Sequence, residues 1–232
     1  MQRLLLLMLL ISLAAGTIRA GQSKAKLPLE NTEWTDIWIT NADQDNLPRV
    51  LLVGDSITHG YFSEVEKVLD GKASCARYTT SGFMGNPDYL DELKILLGRY
   101  RFKVIHVNNG LHGWDYTEAQ YRQSLPGLME TLRRYGAGAT LIWASTTPTR
   151  SPDNPAQLAA DTNRVQERNR IAAEYMQRHG IALDDLYTLV ADHPEYYVDD
   201  HTHFNAQGQA VEAQQVGGAI LRVLEGTSAT KP

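Results

Sequence analysis

Apolar runs alternate with amphipathic stretches along most of this chain, and the alternation is the strongest constraint on its fold. The apolar runs predict strands over 49–54, 73–78, 102–109, 139–146 and, as a short strand plus turn, 181–190; the amphipathic stretches predict helices over 61–71, 87–100, 117–136, 154–180 and 205–224. Strands that alternate with helices form parallel βαβ units with right-handed crossovers. The sequence therefore predicts an α/β fold, a three-layer α/β/α sandwich around about five parallel strands.

The N-terminus falls outside this alternation. Arg3 precedes an apolar run from Leu4 to Ala15, and small residues follow up to Ala20. The run is shorter than the ~20 residues that span a bilayer, so residues 1–20 are predicted to be a signal peptide. We expect cleavage after Ala20 and export to the periplasm or the medium, without stable membrane insertion afterwards. Cleavage after Gly16 and an uncleaved anchor are the alternatives.

The remaining chain divides into three parts by composition. Residues 21–48 are polar and irregular, apart from the insert EWTDIWIT, and we expect an N-terminal arm that packs on the domain or lines the rim of a site. Residues 49–224 hold the alternating strands and helices and form the main domain. Residues 225–232 are a tail.

Charge and cysteine content narrow the possible partners. The formal net charge of −5 at pH 7 argues against the basic surface that nucleic-acid binding requires. The single cysteine, Cys75, lies in a predicted strand and cannot form an internal disulfide, so stability must come from the core. We expect this thiol to be buried and inert.

The segment GDSIT, residues 54–58, places Ser56 where the first parallel strand ends and a helix begins. Ligands of open parallel sheets bind at the carboxyl ends of the strands. We therefore expect the site to contain residues 54–58, the loop after Tyr78, residues 108–112 and residues 145–149. Ser56 there is a helix cap, part of a phosphate-binding turn or a nucleophile; the segment has no lysine, which weakens the phosphate interpretation.

A candidate base for Ser56 lies near the C-terminus, in VDDHTHFNAQG. Asp200 precedes His203 by three residues on a tight loop, so its carboxylate can accept from one imidazole nitrogen and leave the other to take the serine proton. His201, beside Asp199 and Asp200, is the rival base. A divalent metal held by these two histidines and two aspartates, with His59, His106 or His112 as a further ligand, is the other alternative.

GDSIT near the start and DDHTHFNAQG near the end resemble, in this order, the first and last sequence blocks of the SGNH hydrolases, also called GDSL-type esterases. The resemblance covers roughly residues 49–224. It implies a flavodoxin-like α/β/α sandwich and a carboxylic ester hydrolase that needs no metal or other cofactor. It also implies that Ser56 is the nucleophile and that Asp200 and His203 complete a catalytic triad.

The middle blocks of the family match less closely. The family's second block supplies a glycine N–H to the oxyanion hole, and here both Gly82 and Gly85 are available; Gly85 is preferred because it immediately precedes a helix start. The third block is usually Gly-x-Asn-Asp, whereas this chain has HVNNGLHGWD. We assign the amide donor to Asn109, with Asn108 as the alternative. The predicted oxyanion donors are therefore the N–H groups of Ser56 and Gly85 and the amide of Asn109.

The substrate is expected to be a small-molecule or carbohydrate ester. No long apolar lid indicates a fatty-acyl tunnel, and Trp34, Trp38 and the Trp114–Tyr116 segment suit sugar rings, although these side chains are as well explained by packing. Short-acyl, above all acetyl, esters of carbohydrates are the first expectation. The alternatives are a lysophospholipase or thioesterase acting on lipids, a non-catalytic carbohydrate-binding domain, and a metal-dependent hydrolase built on His201 and His203.

Overall fold

The structure, a computed structural model, describes residues 28–226. The predicted signal peptide and residues 227–232 of the predicted tail lie outside the described residues. A six-stranded sheet forms the centre in the order β1-β3-β2-β4-β5-β6, and all neighbouring strands are parallel except β1, which pairs antiparallel with β3. The five parallel strands carry the predicted flavodoxin-like order, and a sixth strand extends the sheet at one edge.

From β2 to α5, strands and helices alternate along the chain. The strands are β1 (Thr35–Ile39), β2 (Arg49–Gly54), β3 (Ser74–Thr80), β4 (Val104–Val107), β5 (Thr140–Ala144) and β6 (Ala182–Asp184). The helices are α1 (Ser56–Val68), α2 (Pro87–Arg99), α3 (Glu118–Tyr135), α4 (Thr162–His179), α5 (Leu186–Ala191) and α6 (Ala206–Leu224), and a short 3₁₀ turn, Pro194–Tyr196, precedes the last of them.

Side-chain caps fix where several helices start. Asp55 accepts from the Ile57 N–H at the start of α1, Asn86 caps α2 ahead of Pro87, and Asn205 caps α6. These oxygens satisfy N–H groups that have no acceptor within the helix. Local sequence therefore ends β2 and starts α1 within two residues, which leaves Ser56 on a sharp strand-to-helix turn.

The sheet separates two apolar cores. Alternate strand residues such as Leu51, Ile105 and Trp143 face α2, α3 and α4, whereas Val50, Val104 and Ile142 face α1, α5 and α6. Strands covered on both faces are apolar throughout, as in the fully buried β2. The predicted three-layer sandwich is confirmed.

The insert in the N-terminal arm forms a strand, which the sequence analysis did not assign. Residues Thr35–Ile39 pair along β3, from Thr35 opposite Thr80 to Ile39 opposite Ala76. The strand lies at the sheet edge and leaves Ile37 and Trp38 46% and 55% exposed. An edge strand with mixed polarity lacks the continuous apolar run that revealed the buried strands.

Three other predicted boundaries were wrong. The first helix begins at Ser56, directly after the Asp55 cap, rather than at residue 61. The fourth helix begins at Thr162 rather than at Asn154, because Arg150 pairs with Leu158 in an antiparallel bridge and Asn154 caps the N–H of Ala156. The turn predicted after β6 is a short helix, α5, whose first turn is capped by Asp185.

The chain order of the strands creates one switch point. From β2 the chain crosses to β3 on one side, and β4 then joins β2 on its other side. Crossovers leave β2 and β4 in opposite directions, so a crevice opens between their carboxyl ends. Ser56 follows β2 and Asn108 follows β4, and both therefore lie at this crevice.

Cys75 is buried in β3, as expected, and is the free cysteine of the chain. Burial, with a contribution from Glu66, raises the pKa of its thiol to about 12. Because the thiolate is the reactive form, this cysteine is unreactive at neutral pH. Among residues 28–226 no helix combines the length and apolar character needed to cross a membrane.

Candidate active site

Ser56 is the first residue of α1 and is half-buried at the carboxyl end of β2. The preceding Asp55 is almost fully buried and is occupied in capping the helix, through Oδ1 to the N–H of Ile57 at 2.9 Å. The Ser56 N–H belongs to the first turn, whose N–H groups have no helical acceptor and carry the positive end of the helix dipole. The turn thus presents both a hydroxyl and a free backbone donor.

Asp200 and His203 lie on the tight loop ahead of α6. Asp200 Oδ1 accepts from the backbone N–H groups of Thr202 and His203, at 3.0 and 2.9 Å. Its other oxygen, Oδ2, lies 2.6 Å from His203 Nδ1. Because a carboxylate accepts hydrogen bonds, Nδ1 carries the ring proton and Nε2 presents a lone pair.

That lone pair faces Ser56. Ser56 Oγ lies 2.7 Å from His203 Nε2, across 147 residues of sequence. Asp200, His203 and Ser56 therefore form one chain of hydrogen bonds, in which His203 Nε2 can accept the serine proton. The His203 side chain is 41% exposed, so a substrate can reach this chain of hydrogen bonds from solvent.

The carboxyl of Asp200 is held in its charged form. Partial burial acts to raise its pKa, but the N–H groups of His203 and Thr202 and the His203 ring outweigh that effect and lower it. A charged Asp200 is the form that orients and stabilises an imidazolium at His203.

The rival histidine has a different position. His201 adopts a left-handed backbone conformation, with φ of 62°, and its carbonyl accepts from the Arg150 N–H at 2.8 Å. Its ring forms no hydrogen bond to Ser56 within the described chain, whereas His203 does. Among residues 28–226 no group of three or more His, Cys, Asp or Glu side chains has the arrangement of a metal site.

The two candidate glycines differ in what their N–H groups do. The N–H of Gly82 donates to Thr80 Oγ1 at 3.0 Å. No hydrogen bond from the Gly85 N–H exists among the described residues, and Gly85 directly precedes Asn86, the cap of α2. A Cβ at Gly85 would lie 2.5 Å from both Phe83 and Ser124, so only glycine fits at this turn. Gly85 as oxyanion donor stays a prediction.

The two asparagines after β4 point in opposite directions, toward different neighbours. Asn108 Nδ2 donates to Ala144 O and Thr146 Oγ1, at 2.9 and 3.0 Å, so both of its amide hydrogens are used on the β5 side. Asn109 Nδ2 donates to the Gly82 carbonyl at 2.9 Å and its Oδ1 accepts from the Met84 N–H at 3.2 Å. Asn109 thus holds the loop that contains the candidate glycines, and its amide also interacts with the Tyr89 hydroxyl.

A buried arginine fixes the loop of the candidate base. Arg150 is 4% exposed, and its backbone N–H bonds the His201 carbonyl. Its guanidinium donates to the Val190 carbonyl at 3.4 Å and lies 5.0 Å from the ring centroid of Tyr197. The sequence analysis missed this residue, because nothing local marks an arginine that will bind a distant loop.

A carboxylate–imidazole pair in the loop after β4 was not predicted either: residues 108–112 were expected in the site, but His112 was given a role only as a possible metal ligand. His112 Nδ1 lies 2.8 Å from Glu30 Oε2, and the N–H of Gly113 donates to Glu30 Oε1 at 2.9 Å. Glu30 belongs to the N-terminal arm, so the arm reaches the loop after β4. The residues are too far apart in sequence for spacing to reveal the pair.

The tryptophans expected near sugars have separate environments. Trp114 packs under the guanidinium groups of Arg164 and Arg168, with centroid distances of 5.2 and 5.1 Å. Trp38 lies on the exposed edge strand. Trp34 is half-buried and lines a groove of about 410 Å³ together with Gly82. Of these three, Trp34 lies beside the candidate oxyanion loop.

The sequence matches the model of the GDSL-like Lipase/Acylhydrolase family over residues 52–211. This range contains both Ser56 and the Asp200–His203 loop. No curated protein matches the sequence.

Solved structures share the fold at low sequence identity. A carbohydrate esterase family 3 protein from Talaromyces cellulolyticus superposes with a TM-score of 0.61 at 13% identity, covering 78% of this chain and 100% of that one. The lipase/acylhydrolase from Enterococcus faecalis gives 0.59 at 19% identity, over 75% and 95%. The C-terminal catalytic domain of peptidoglycan O-acetyltransferase A from Streptococcus pneumoniae gives 0.55 at 16%, over 77% and 96%.

Proposed function

The chain belongs to the GDSL-like lipase/acylhydrolase family, the SGNH hydrolases, and is a carboxylic ester hydrolase; from that premise we propose that it removes short acyl groups, above all acetyl, from carbohydrates through Ser56, His203 and Asp200. The single observation that carries the catalytic part is the chain of hydrogen bonds Asp200–His203–Ser56, with contacts of 2.6 and 2.7 Å.

The reaction is acyl transfer to Ser56 and then to water. His203 Nε2 takes the hydroxyl proton as Ser56 Oγ attacks the ester carbonyl, and Asp200 stabilises the resulting imidazolium. His203 returns that proton to the departing alcohol oxygen, which leaves an acyl-serine. Water then attacks the acyl carbonyl and gives a proton to His203, which passes it to Ser56 Oγ as the acid leaves.

The proposed oxyanion donors are the N–H groups of Ser56 and Gly85, with the amide of Asn109. The free N–H groups at the start of α1 and before α2 support the first two. For Asn109 the support is its position after β4 and its contacts with the Gly82–Met84 segment, which place its amide beside the candidate glycines.

A carbohydrate alcohol is supported by the groove beside this loop. Trp34 provides an aromatic face, and carboxylates that can accept from sugar hydroxyls share the lining, namely Glu33, Asp88 and Glu92. The carbohydrate esterase and the peptidoglycan acetyltransferase among the structural neighbours agree with an acetylated carbohydrate. Export, on the basis of the predicted signal peptide at 1–20, would bring the enzyme to such polymers.

The test is an assay of esters that differ in acyl length, with wild type, Ser56→Ala and His203→Ala. We expect the highest kcat/KM on acetyl esters, release of acetate from an acetylated polysaccharide, and a loss of about 10⁴-fold or more in kcat for Ser56→Ala. Release of long-chain acids alone would favour the lipid hydrolase instead. Turnover that is equal in wild type and Ser56→Ala would contradict the proposed catalysis.

A further inference from the structure

Glu30 and His112 form a carboxylate–imidazole pair that the proposed triad does not use. Both oxygens of Glu30 are occupied, one by His112 Nδ1 and the other by the N–H of Gly113. The two side chains are 30% and 19% exposed, so the pair is sheltered but open to solvent. Such a paired arrangement fixes the ring in one orientation.

The loop that carries His112 is held rigidly from below. Arg168 is fully buried, and its guanidinium donates to the carbonyls of Gly110, His112, Gly113 and Tyr116, at 3.0, 2.7, 2.9 and 3.2 Å. Four carbonyls on one buried cation leave the loop little freedom. A ring presented on a loop fixed in this way is suited to position a ligand.

The loop lies beside Ser56. It follows β4, which pairs with β2 at the switch point of the sheet, and the N–H of Asn108 donates to the Val53 carbonyl at 2.9 Å. Leu111 lines the same small cavity, of about 10 Å³, as Asp55 and Ile57, the two neighbours of Ser56 in sequence. His112 directly follows Leu111 and is partly exposed, so the loop that carries it borders the crevice at Ser56.

The Glu30 contact also decides which ring nitrogen is available. A carboxylate accepts hydrogen bonds, so Nδ1 of His112 carries the proton and Nε2 has the lone pair. No residue in 28–226 forms a hydrogen bond with that Nε2. In the Asp200–His203 pair the ring proton is likewise on Nδ1, so the acceptor nitrogen Nε2 faces Ser56. His203 and His112 therefore each have an acceptor nitrogen, and that of His203 is already used by Ser56.

We infer that His112 is a specificity-determining residue whose Nε2 accepts a hydrogen bond from a hydroxyl group of the alcohol part of the ester, next to the ester oxygen. The inference rests on the proposed function and deepens it: the preferred substrates are acyl esters of polyols or sugars with a free neighbouring hydroxyl. Glu30 is a positioning residue that keeps the ring in the accepting tautomer.

Two acetate esters with the same acyl group test this assignment. One is a methyl glycoside carrying a single acetyl next to a free hydroxyl, and the other is 4-nitrophenyl acetate, which has no hydroxyl. For His112→Ala we expect kcat/KM on the sugar ester to fall about tenfold, mainly through KM, and to change less than twofold on the aryl ester. Glu30→Ala should give the same selective loss, and His112→Gln, whose amide oxygen can accept, should recover part of it.

His179→Ala is the matched control. His179 is exposed at the C-terminus of α4, at the end of the sheet opposite the carboxyl ends of the strands. Melting temperatures establish that each variant is folded. Equal losses on both esters, no loss on either, or a wild type that cleaves the aryl ester alone would overturn the role of His112. Absence of Ser56-dependent cleavage of both esters would instead overturn the proposed function and, with it, this inference.

Discussion

At the scale of single residues, the Asp200 carboxylate has two structural roles. It binds the backbone of its own loop through one oxygen and the His203 ring through the other, and these contacts keep its pKa below the usual value for aspartate. The same carboxylate therefore shapes the loop and sets the tautomer of the base.

Replacing Asp200 by Asn should reduce kcat by roughly 10³–10⁴-fold, because an amide can donate to Nδ1 and so favour the wrong tautomer. Steady-state kinetics on an acetyl ester measures the effect. Asp199→Asn is the control, since Asp199 is exposed and forms no hydrogen bond within the described chain. A loss of less than tenfold in Asp200→Asn would show that this carboxylate is not needed at His203.

The lowered pKa of Asp200 also has a consequence for stability. A carboxyl whose pKa is depressed on folding stabilises the fold above its unfolded pKa, and that contribution is lost as the pH falls through the folded value. The difference in Tm between wild type and Asp200→Asn should therefore shrink as the pH is lowered from about 6 to about 3. A difference that grows on acidification would contradict the direction of the shift.

Residue spacing predicted the Asp200–His203 pair but not the Glu30–His112 pair. Asp200 and His203 are three residues apart on one loop, so their contact follows from local geometry. Glu30 and His112 are 82 residues apart and meet only because the N-terminal arm crosses the loop after β4. The destinations of the Asn108 and Asn109 amides likewise depend on neighbouring strands and loops.

At the scale of elements, the junction between β2 and α1 sets the position of Ser56. Gly54 ends the strand, and a Cβ there would lie 2.1 Å from Thr58 Oγ1 and 2.7 Å from Thr58 Cβ. Thr58 is almost fully buried and bonds the Tyr61 hydroxyl, so it has little room to move. The close approach of strand and helix therefore requires glycine.

Gly54→Ala should lower the free energy of unfolding by about 1–3 kcal/mol, because overpacking at this junction forces α1 away from β2. The esterase activity of the folded variant should fall as well, since α1 carries Ser56. The control is Gly98→Ala in α2, where an added Cβ meets nothing within 4 Å. That change should stabilise by about 0.5–1 kcal/mol. Denaturant unfolding of both variants measures these changes. A Gly54→Ala protein as stable as wild type would show that β2 and α1 do not require glycine at this junction.

Buried elements were predictable and peripheral ones were not. The strands β2, β4 and β5 are mostly apolar because both faces are covered, and their order of appearance followed from that pattern. β1 has one neighbour and mixed polarity, and the start of α4 depends on a bridge between Arg150 and Leu158. Such boundaries are decided by tertiary contacts that no local pattern records.

At the scale of the whole molecule, one buried acid couples the packing of several elements to pH. Glu212 of α6 is fully buried, and its two oxygens have no hydrogen-bond partner in the described chain. Burial, and then the charge of Asp55, raises its pKa well above the usual value. Tyr61 of α1 and Tyr197 also interact electrostatically with it.

Glu212→Gln should remove a loss of stability that wild type undergoes as the pH rises. A raised folded pKa means that the stabilising contribution is complete below the unfolded pKa, about 4.3, and is lost as the pH increases toward the folded value. The Tm of the variant relative to wild type should therefore increase between pH 5 and pH 8, by about 2–4 °C for each kcal/mol involved. Glu130→Gln, at an exposed position of α3, should show no such trend. A Tm difference that is constant over this range would contradict a neutral, buried Glu212.

The whole fold explains why residues from both ends of the domain meet. A parallel sheet gathers the carboxyl ends of its strands at one end, so the sequence alone predicts that the first and last sequence blocks converge there. The order of the blocks does not reveal the contribution of the N-terminal arm. The arm adds Glu30 and Trp34 to the same end of the sheet.

The central claim is that Ser56 is a nucleophile activated by His203, and covalent labelling tests it most directly. Wild-type protein is treated with a fluorophosphonate and the modified residue is located by mass spectrometry, alongside Ser56→Ala and His203→Ala. The account predicts one label, on Ser56, absent from Ser56→Ala and formed far more slowly in His203→Ala. A label on another residue, no label on folded wild type, or equal labelling of Ser56 without His203 would contradict it.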